Sequence, residues 1–146
     1  MKCENYITFE CLSRSANEAF ARGAVACFAA QLDPTLEELG DIKTAVSEAV
    51  TNAIVHAYPD ILGRIQVRCR ILEGDVLEIV VRDWGRGIAD VEQARAPLYT
   101  TGGPERSGMG FTIMESFMDR LTVRSSQGKG TRVAMSRRIR RRRADR

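Results

Sequence analysis

The hydrophobic pattern changes period early in the chain. Ile7, Phe9 and Cys11 alternate with Tyr6, Thr8 and Glu10, the two-residue repeat of a strand with one buried face. Ser15 and Glu18 then have capping-box spacing, and Phe20, Ala24, Cys27, Phe28 and Gln31 trace a mostly apolar helical stripe that should end near Asp33-Pro34. Thr35 and Glu38 form a second capping box. After it, Leu36, Leu39, Ile42, Val46, Ala49, Val50, Ala53 and Ile54 recur at spacings of three and four, predicting one long helix over about 36 to 57.

Beyond Pro59 and Gly63 the period returns to two. Ile65, Val67, Cys69 and Ile71 face one way, and Arg64, Gln66, Arg68 and Arg70 the other. Glu73-Gly74-Asp75 suggests a hairpin into Val76 to Arg82, a nearly continuous apolar run of the kind found in central strands, which Asp83-Trp84-Gly85-Arg86-Gly87 stops sharply. Residues 96 to 110 read as loop, Phe111, Ile113, Met114, Phe117 and Met118 as a short helix. Leu121 with Val123 and Val133 with Met135 predict two closing strands around the turn Gln127-Gly128-Lys129-Gly130. Helices followed by hairpins favour an α+β two-layer sandwich, with helices on one face of a mixed, largely antiparallel sheet.

At 146 residues, with 44% hydrophobic and 28% charged positions, the chain fits one globular domain. Its length permits a useful core without staples. Cys3, Cys11, Cys27 and Cys69 are scattered, form no CxxC pair and have only one histidine for company, so neither a disulfide framework nor a common zinc pattern is expected. No targeting signal or membrane span is legible, and a reduced, cytoplasmic setting is the expectation. The net charge of +3 conceals an asymmetry: residues 137–146 hold seven arginines and one aspartate, so the rest of the chain is net acidic. The domain is therefore placed at 1–136. Residues 137–146 are read as a basic, disordered tail, with nucleic-acid contact through those arginines as the competing reading.

Four local patterns carry candidate chemistry. Glu48 and Asn52 lie four apart on the long helix and project about 40° apart, off the main apolar stripe. A carboxylate and an amide oxygen so placed suit a hard cation or a water, although an ordinary exposed helix face also carries such pairs. Asp83 follows a buried strand and precedes Gly85 and Gly87, where backbone can approach a flat ligand while the carboxylate accepts an amine; a strand-ending turn has the same look. Ser107-Gly108-Met109-Gly110-Phe111 opens a helix whose first N–H groups favour phosphate, or merely makes a tight helix entry. Lys129-Gly130-Thr131 places a hydroxyl at the start of the last strand.

In this order, ExxxNAxxHAY on a helix, DxGxG after a strand, GMGF before a helix and GKGT before a final strand are specific. Together they resemble the GHKL ATPase superfamily. The stretches VSEAVTNAIVHAY, LYTT, ERSGMGFTIMESFMD and FARGAVACFAAQLDPT are similar to its sporulation anti-sigma F kinases, and the resemblance runs from about Tyr6 to Met135.

The resemblance implies the GHKL (Bergerat) ATP-binding fold, with ATP and Mg2+ as cofactors. On matching residues, Asn52 would coordinate the magnesium and Glu48 would be the general base for a serine hydroxyl. Asp83 would accept the adenine N6 amine, with Gly85 and Gly87 shaping that pocket and Thr131 supporting it. Residues 98–110 would be the ATP lid. There Thr100, Ser107, Gly108, Met109 and Gly110 are the candidate nucleotide contacts, and Arg106 would reach the terminal phosphate. The implied partners are a sigma factor, with Arg22 as candidate contact, an anti-anti-sigma protein as phosphorylation substrate, and a second copy in a homodimer. Neither direct nucleic-acid binding nor membrane binding is expected. A nucleotide-gated sequestering module without turnover is the alternative, as is a stress-response rather than sporulation role. His56, the only histidine, is read as structural rather than as a phosphoacceptor. Ala57, Trp84 and Gly102-Gly103 depart from the family pattern without removing a motif residue.

Overall fold

The fold comes from a computed structural model that describes residues 1–96 and 110–140. The elements are β1 (Cys3–Leu12), α1 (Ala16–Ala29), α2 (Leu36–Asn52), β2 (Arg64–Leu72), β3 (Val76–Asp83), α3 (Val91–Arg95), α4 (Gly110–Phe117), β4 (Arg120–Ser126) and β5 (Gly130–Arg138). The strands form one sheet in the order β1-β2-β3-β5-β4. All four pairings are antiparallel, so among the described residues the sheet is antiparallel throughout rather than mixed. Hairpins supply two of those pairings, β2–β3 and β4–β5, whereas β1–β2 is reached through α1 and α2 and β3–β5 through α3, α4 and β4.

The core lies between the inner sheet face and the helices. Ile65, Val67, Cys69, Leu77, Ile79 and Met135 point inward and are fully buried, against Ile42, Val46 and Val50 of α2. Burying each such side chain is worth about 1.5–3 kcal/mol. Burial among these apolar groups also pushes the Cys69 thiol up to about 12, so it packs as a neutral hydrophobe. Thr35 caps α2 as its spacing predicts: its hydroxyl accepts from Glu38 N–H at 3.1 Å and its own N–H donates to Glu38 Oε1 at 2.9 Å.

Four expectations are corrected. Ser15 makes no side-chain cap, because its backbone is already helical and its hydroxyl does not accept from α1. The buried stripe of α1 is Ala21, Val25, Phe28, Ala29 and Leu32, the last in a short 3-10 turn, rather than the predicted set. Phe20 is 61% exposed and its ring meets Phe9 of β1 edge-on at 5.7 Å. The long helix is α-helical only to Asn52; Ala53–Ala57 forms a π-helical turn. Finally, β5 continues past the expected tail boundary: Arg137 pairs with Asp41 at 2.7 Å, Ile139 is 3% exposed, and the Arg140 N–H donates to Glu38 Oε2 at 2.8 Å. Alternating burial, not charge, sets that boundary, and residues 141–146 lie outside those described.

Candidate functional site

One large cavity, about 740 Å³, opens between α2, the end of β3, the loop after it and the N-terminus of α4. Glu48, Asn52, Asp83, Gly87, Gly110 and Thr131 all line it. Four motifs separated by up to 83 positions of sequence thus converge on one space. His56 lines it too, and Ala57 forms part of its wall.

At one end sits Asp83, 6% exposed at the last position of β3. Its Oδ1 accepts the Gly85 N–H at 3.0 Å and the Thr131 N–H at 3.2 Å. Burial raises its carboxyl above the ordinary value of 3.8, and those two N–H groups pull the other way. Thr131 lies directly across from Asp83 in the β3–β5 register, and Ser125 across from Thr131 in β4–β5. Ser125 Oγ donates to the Gly130 carbonyl at 2.9 Å and accepts the Ile88 N–H at 2.7 Å. Its one proton being used, the 2.8 Å contact with Thr131 makes the threonine hydroxyl the donor there and leaves the threonine oxygen as an acceptor.

The glycines of DxGxG are fixed by close approach. A side chain on Gly85 would strike the carbonyl and Cβ of Ala57, and Gly87 combines φ +75° with the Ser126 carbonyl where a Cβ would go. The Ala57 carbonyl also accepts the Arg86 N–H at 3.1 Å, tying the π-helical turn to this loop. Ala57 is thus accommodated. Trp84 does not line the cavity: the Arg64 and Arg82 guanidinium carbons lie 3.7 and 4.7 Å from its ring centroid.

At the other end, Gly110 opens α4 against α2. A Cβ there would stand 3.2 Å from both Glu48 Oε2 and Asn52 Nδ2, and 3.3 Å from Asn52 Oδ1. The N-terminus of α4 therefore lies beside the stretch of α2 that carries the carboxylate and the amide. A carboxylate and an amide oxygen are the donor types a hard cation takes. Among the described residues no three His, Cys, Asp or Glu side chains cluster to hold a metal unaided, so a cation here would draw most of its ligands from phosphate and water.

Glu48 also lines a smaller groove of about 320 Å³ with Arg22, Gly40, Lys43, Thr44 and Ser47. Arg22 is thereby brought to the same region as Glu48, with Glu18 at 3.9 Å from its guanidinium. Thr100, Arg106, Ser107, Gly108 and Met109 lie outside the described residues. Sequence reasoning missed Ser125 and Tyr58. Ser125 is a polar residue at an inward position of the Leu121-Val123-Ser125 alternation, and that was its available signal. Tyr58 donates to the Arg64 carbonyl and accepts the Trp84 N–H, both at 2.7 Å; no sequence spacing announces that bridge.

Residues 12–137 match the family of histidine kinase-like ATPase domains. The chain is 56% identical over 140 residues to the anti-sigma F factor of Caldanaerobacter subterraneus subsp. tengcongensis, covering 95% of this chain and 97% of that one. It is 57% identical over 137 residues to that of Pasteuria penetrans (92% and 91%) and 55% identical over 137 residues to that of Clostridium novyi (92% and 95%). In fold it is similar to the RsbU and RsbW domains of Rv1364c from Mycobacterium tuberculosis, with a TM-score of 0.69 at 18% identity, over 92% of this chain and 32% of that one. No described helix is long and apolar enough to cross a membrane. With a cavity built from all four GHKL motifs and relatives matched over nearly their whole length, the chain belongs to the anti-sigma F factor family of histidine kinase-like ATPases.

Proposed function

We propose that this protein binds a sigma factor and, using ATP and Mg2+, phosphorylates a serine of the antagonist that would release it. The observation that carries the reading is the meeting of Gly110 with Glu48 and Asn52 at one end of the cavity whose other end is Asp83. A nucleotide laid along it has its adenine amine at Asp83 Oδ2 and its phosphates at the N-terminus of α4. Asn52 is the residue that would hold magnesium, which when bound neutralises charge on the phosphate oxygens.

Glu48 lines both the cavity and the groove beside Arg22, which supports a role for it where an incoming hydroxyl would meet the terminal phosphate. In the transfer, the serine oxygen bonds to the γ-phosphorus, the bond from that phosphorus to the β,γ-bridging oxygen breaks, and ADP leaves. The hydroxyl proton goes to Glu48 Oε2. Positioning and electrostatics supply most of such a rate enhancement. Arg106 would clamp the terminal phosphate, and Thr100, Ser107, Gly108 and Met109 would line the lid around it.

Arg22 would contact the sigma factor, and a second copy of the chain would complete a homodimer. The sigma arm is tested by transcription in vitro with the host's core polymerase and its sporulation sigma factor. Purified chain with MgATP is expected to suppress sigma-dependent transcripts and to leave housekeeping transcripts unchanged. Equal transcription with and without the chain would refute sequestration.

A further inference from the structure

The sheet face opposite the helices carries eight arginines on four strands: Arg64, Arg68 and Arg70 of β2, Arg82 of β3, Arg120 and Arg124 of β4, and Arg132 and Arg138 of β5. Several are neutralised locally. Arg70 and Arg68 share Glu78 at 2.7 and 3.3 Å, and Arg64 meets Glu10 at 3.5 Å.

One cross-strand row is different. Arg82 pairs in register with Arg132, and Arg132 with Arg124, which places three arginines on adjacent strands within about 10 Å. Among the described residues none of the three has a carboxylate partner. Like charges directly opposite one another destabilise a sheet, so this row costs stability, of which the contact of Arg82 with the Trp84 ring returns only a part. Arg82 and Arg124 are exposed and Arg132 half-buried. The row lies on the other face of the sheet from Arg22 and the nucleotide cavity, back to back with Asp83, Thr131 and Ser125 one position along each strand.

We infer that the Arg82–Arg132–Arg124 row is a docking surface for a carboxylate-bearing segment of a protein partner, separate from the Arg22 groove. Guanidinium groups fixed on a rigid sheet match carboxylates in forked, two-bond geometry. The surroundings favour protein over nucleic acid. The track of arginines without a carboxylate partner is only three residues wide: Glu10 closes the row beyond Gln66, and the next row brings the uncharged Val80, Ala134 and Thr122 alongside it, its Arg68 being paired with Glu78. A polyphosphate chain needs a longer unbroken track, whereas a short charged strip bordered by uncharged positions suits a single acidic segment of a protein.

The test uses the full chain and a fluorescein-labelled hexaglutamate peptide, read by anisotropy at about 50 mM salt, with a labelled oligothymidylate beside it. The row variant is Arg124→Gln/Arg132→Gln, and the control Arg120→Gln/Arg138→Gln removes the same charge from the same face. The expected result is peptide binding that weakens at least about tenfold in the row variant and less than about twofold in the control. Arg132→Gln alone should also raise the thermal midpoint at low salt, with the gain shrinking as salt is added. No peptide binding, equal loss in both double variants, or tighter oligothymidylate binding that depends on the row would each overturn the proposal. A lowered midpoint in Arg132→Gln would overturn the repulsion on which it rests.

Discussion

Gly85 and Thr131, on either side of Asp83, donate their backbone N–H groups to the same carboxylate oxygen, Oδ1, at 3.0 and 3.2 Å. The structural duty of the carboxylate falls on one oxygen. Among the described residues Oδ2 has no partner, in a group that lines the main cavity and is 6% exposed.

Asp83→Asn separates those two duties, since an asparagine keeps its Oδ1 and replaces the other oxygen with an NH2 donor. Folding should survive while ATP affinity falls roughly 10- to 150-fold, the equivalent of about 1.5–3 kcal/mol for a hydrogen bond to a charged acceptor. Titration with a fluorescent ATP analogue measures it. Affinity equal to wild type would remove Asp83 from adenine recognition.

The same substitution has a pH signature. Burial raises the Asp83 carboxyl in the folded state, so the unfolded chain releases that proton first as pH rises. Wild type therefore loses stability as pH climbs from about 3.8 through the higher folded-state value. Below that window the two proteins should have similar thermal midpoints. Above it the midpoint of Asp83→Asn should gain on wild type and then level off, and a gap independent of pH would contradict burial as the dominant influence.

Glu48→Gln keeps the size of the side chain and removes its basicity. ATP binding should persist and phosphoryl transfer fall about 10²–10⁴-fold, the usual contribution of a general base. Unchanged transfer in single-turnover assays would take the proton away from Glu48.

Arg22→Ala should weaken sigma-factor binding and leave ATP binding intact, because Arg22 lines the small groove and not the main cavity. Parallel loss of both activities would point to a folding defect in α1.

Tyr58→Phe removes a hydroxyl that joins the Arg64 carbonyl to the Trp84 N–H at 2.7 Å on each side. Burial raises that hydroxyl's pKa, so the group is a neutral donor at physiological pH. The variant should be about 1–3 kcal/mol less stable, since two main-chain groups lose their partner. Equal urea midpoints would show that water replaces the hydroxyl at no cost.

Sequence alone made much of this legible, for identifiable reasons. Strands β2 and β3 follow strict alternation or a continuous apolar run, and Thr35 with Glu38 announces α2 by a capping box that forms. The failures are equally physical. In α1 small residues outnumber large ones, so Ala21 and Ala29 could bury while Phe20 stayed outside, and side-chain size misled the choice of stripe. Nothing local marks the switch to π-helix at Ala53; it accompanies the approach of Gly85 to Ala57, a contact 28 positions apart in the chain. The arginines at 137 and 138 look like a solvated tail by charge, yet β5 takes them in because Ile139 behind them is buried. The site was legible as an ordered set of motifs. Its second layer, Ser125 and Tyr58, was not, because each acts through register or a backbone contact.

The central claim is serine phosphorylation of a separate protein, and transfer from γ-labelled ATP tests it most directly. The purified chain is incubated with host lysate in magnesium or EDTA, and the labelled bands are treated with acid and with alkali. Magnesium-dependent, acid-stable and alkali-labile label on a small second protein is the predicted result. Acid-labile label on the chain itself, or no label despite measurable ATP binding, would contradict the account.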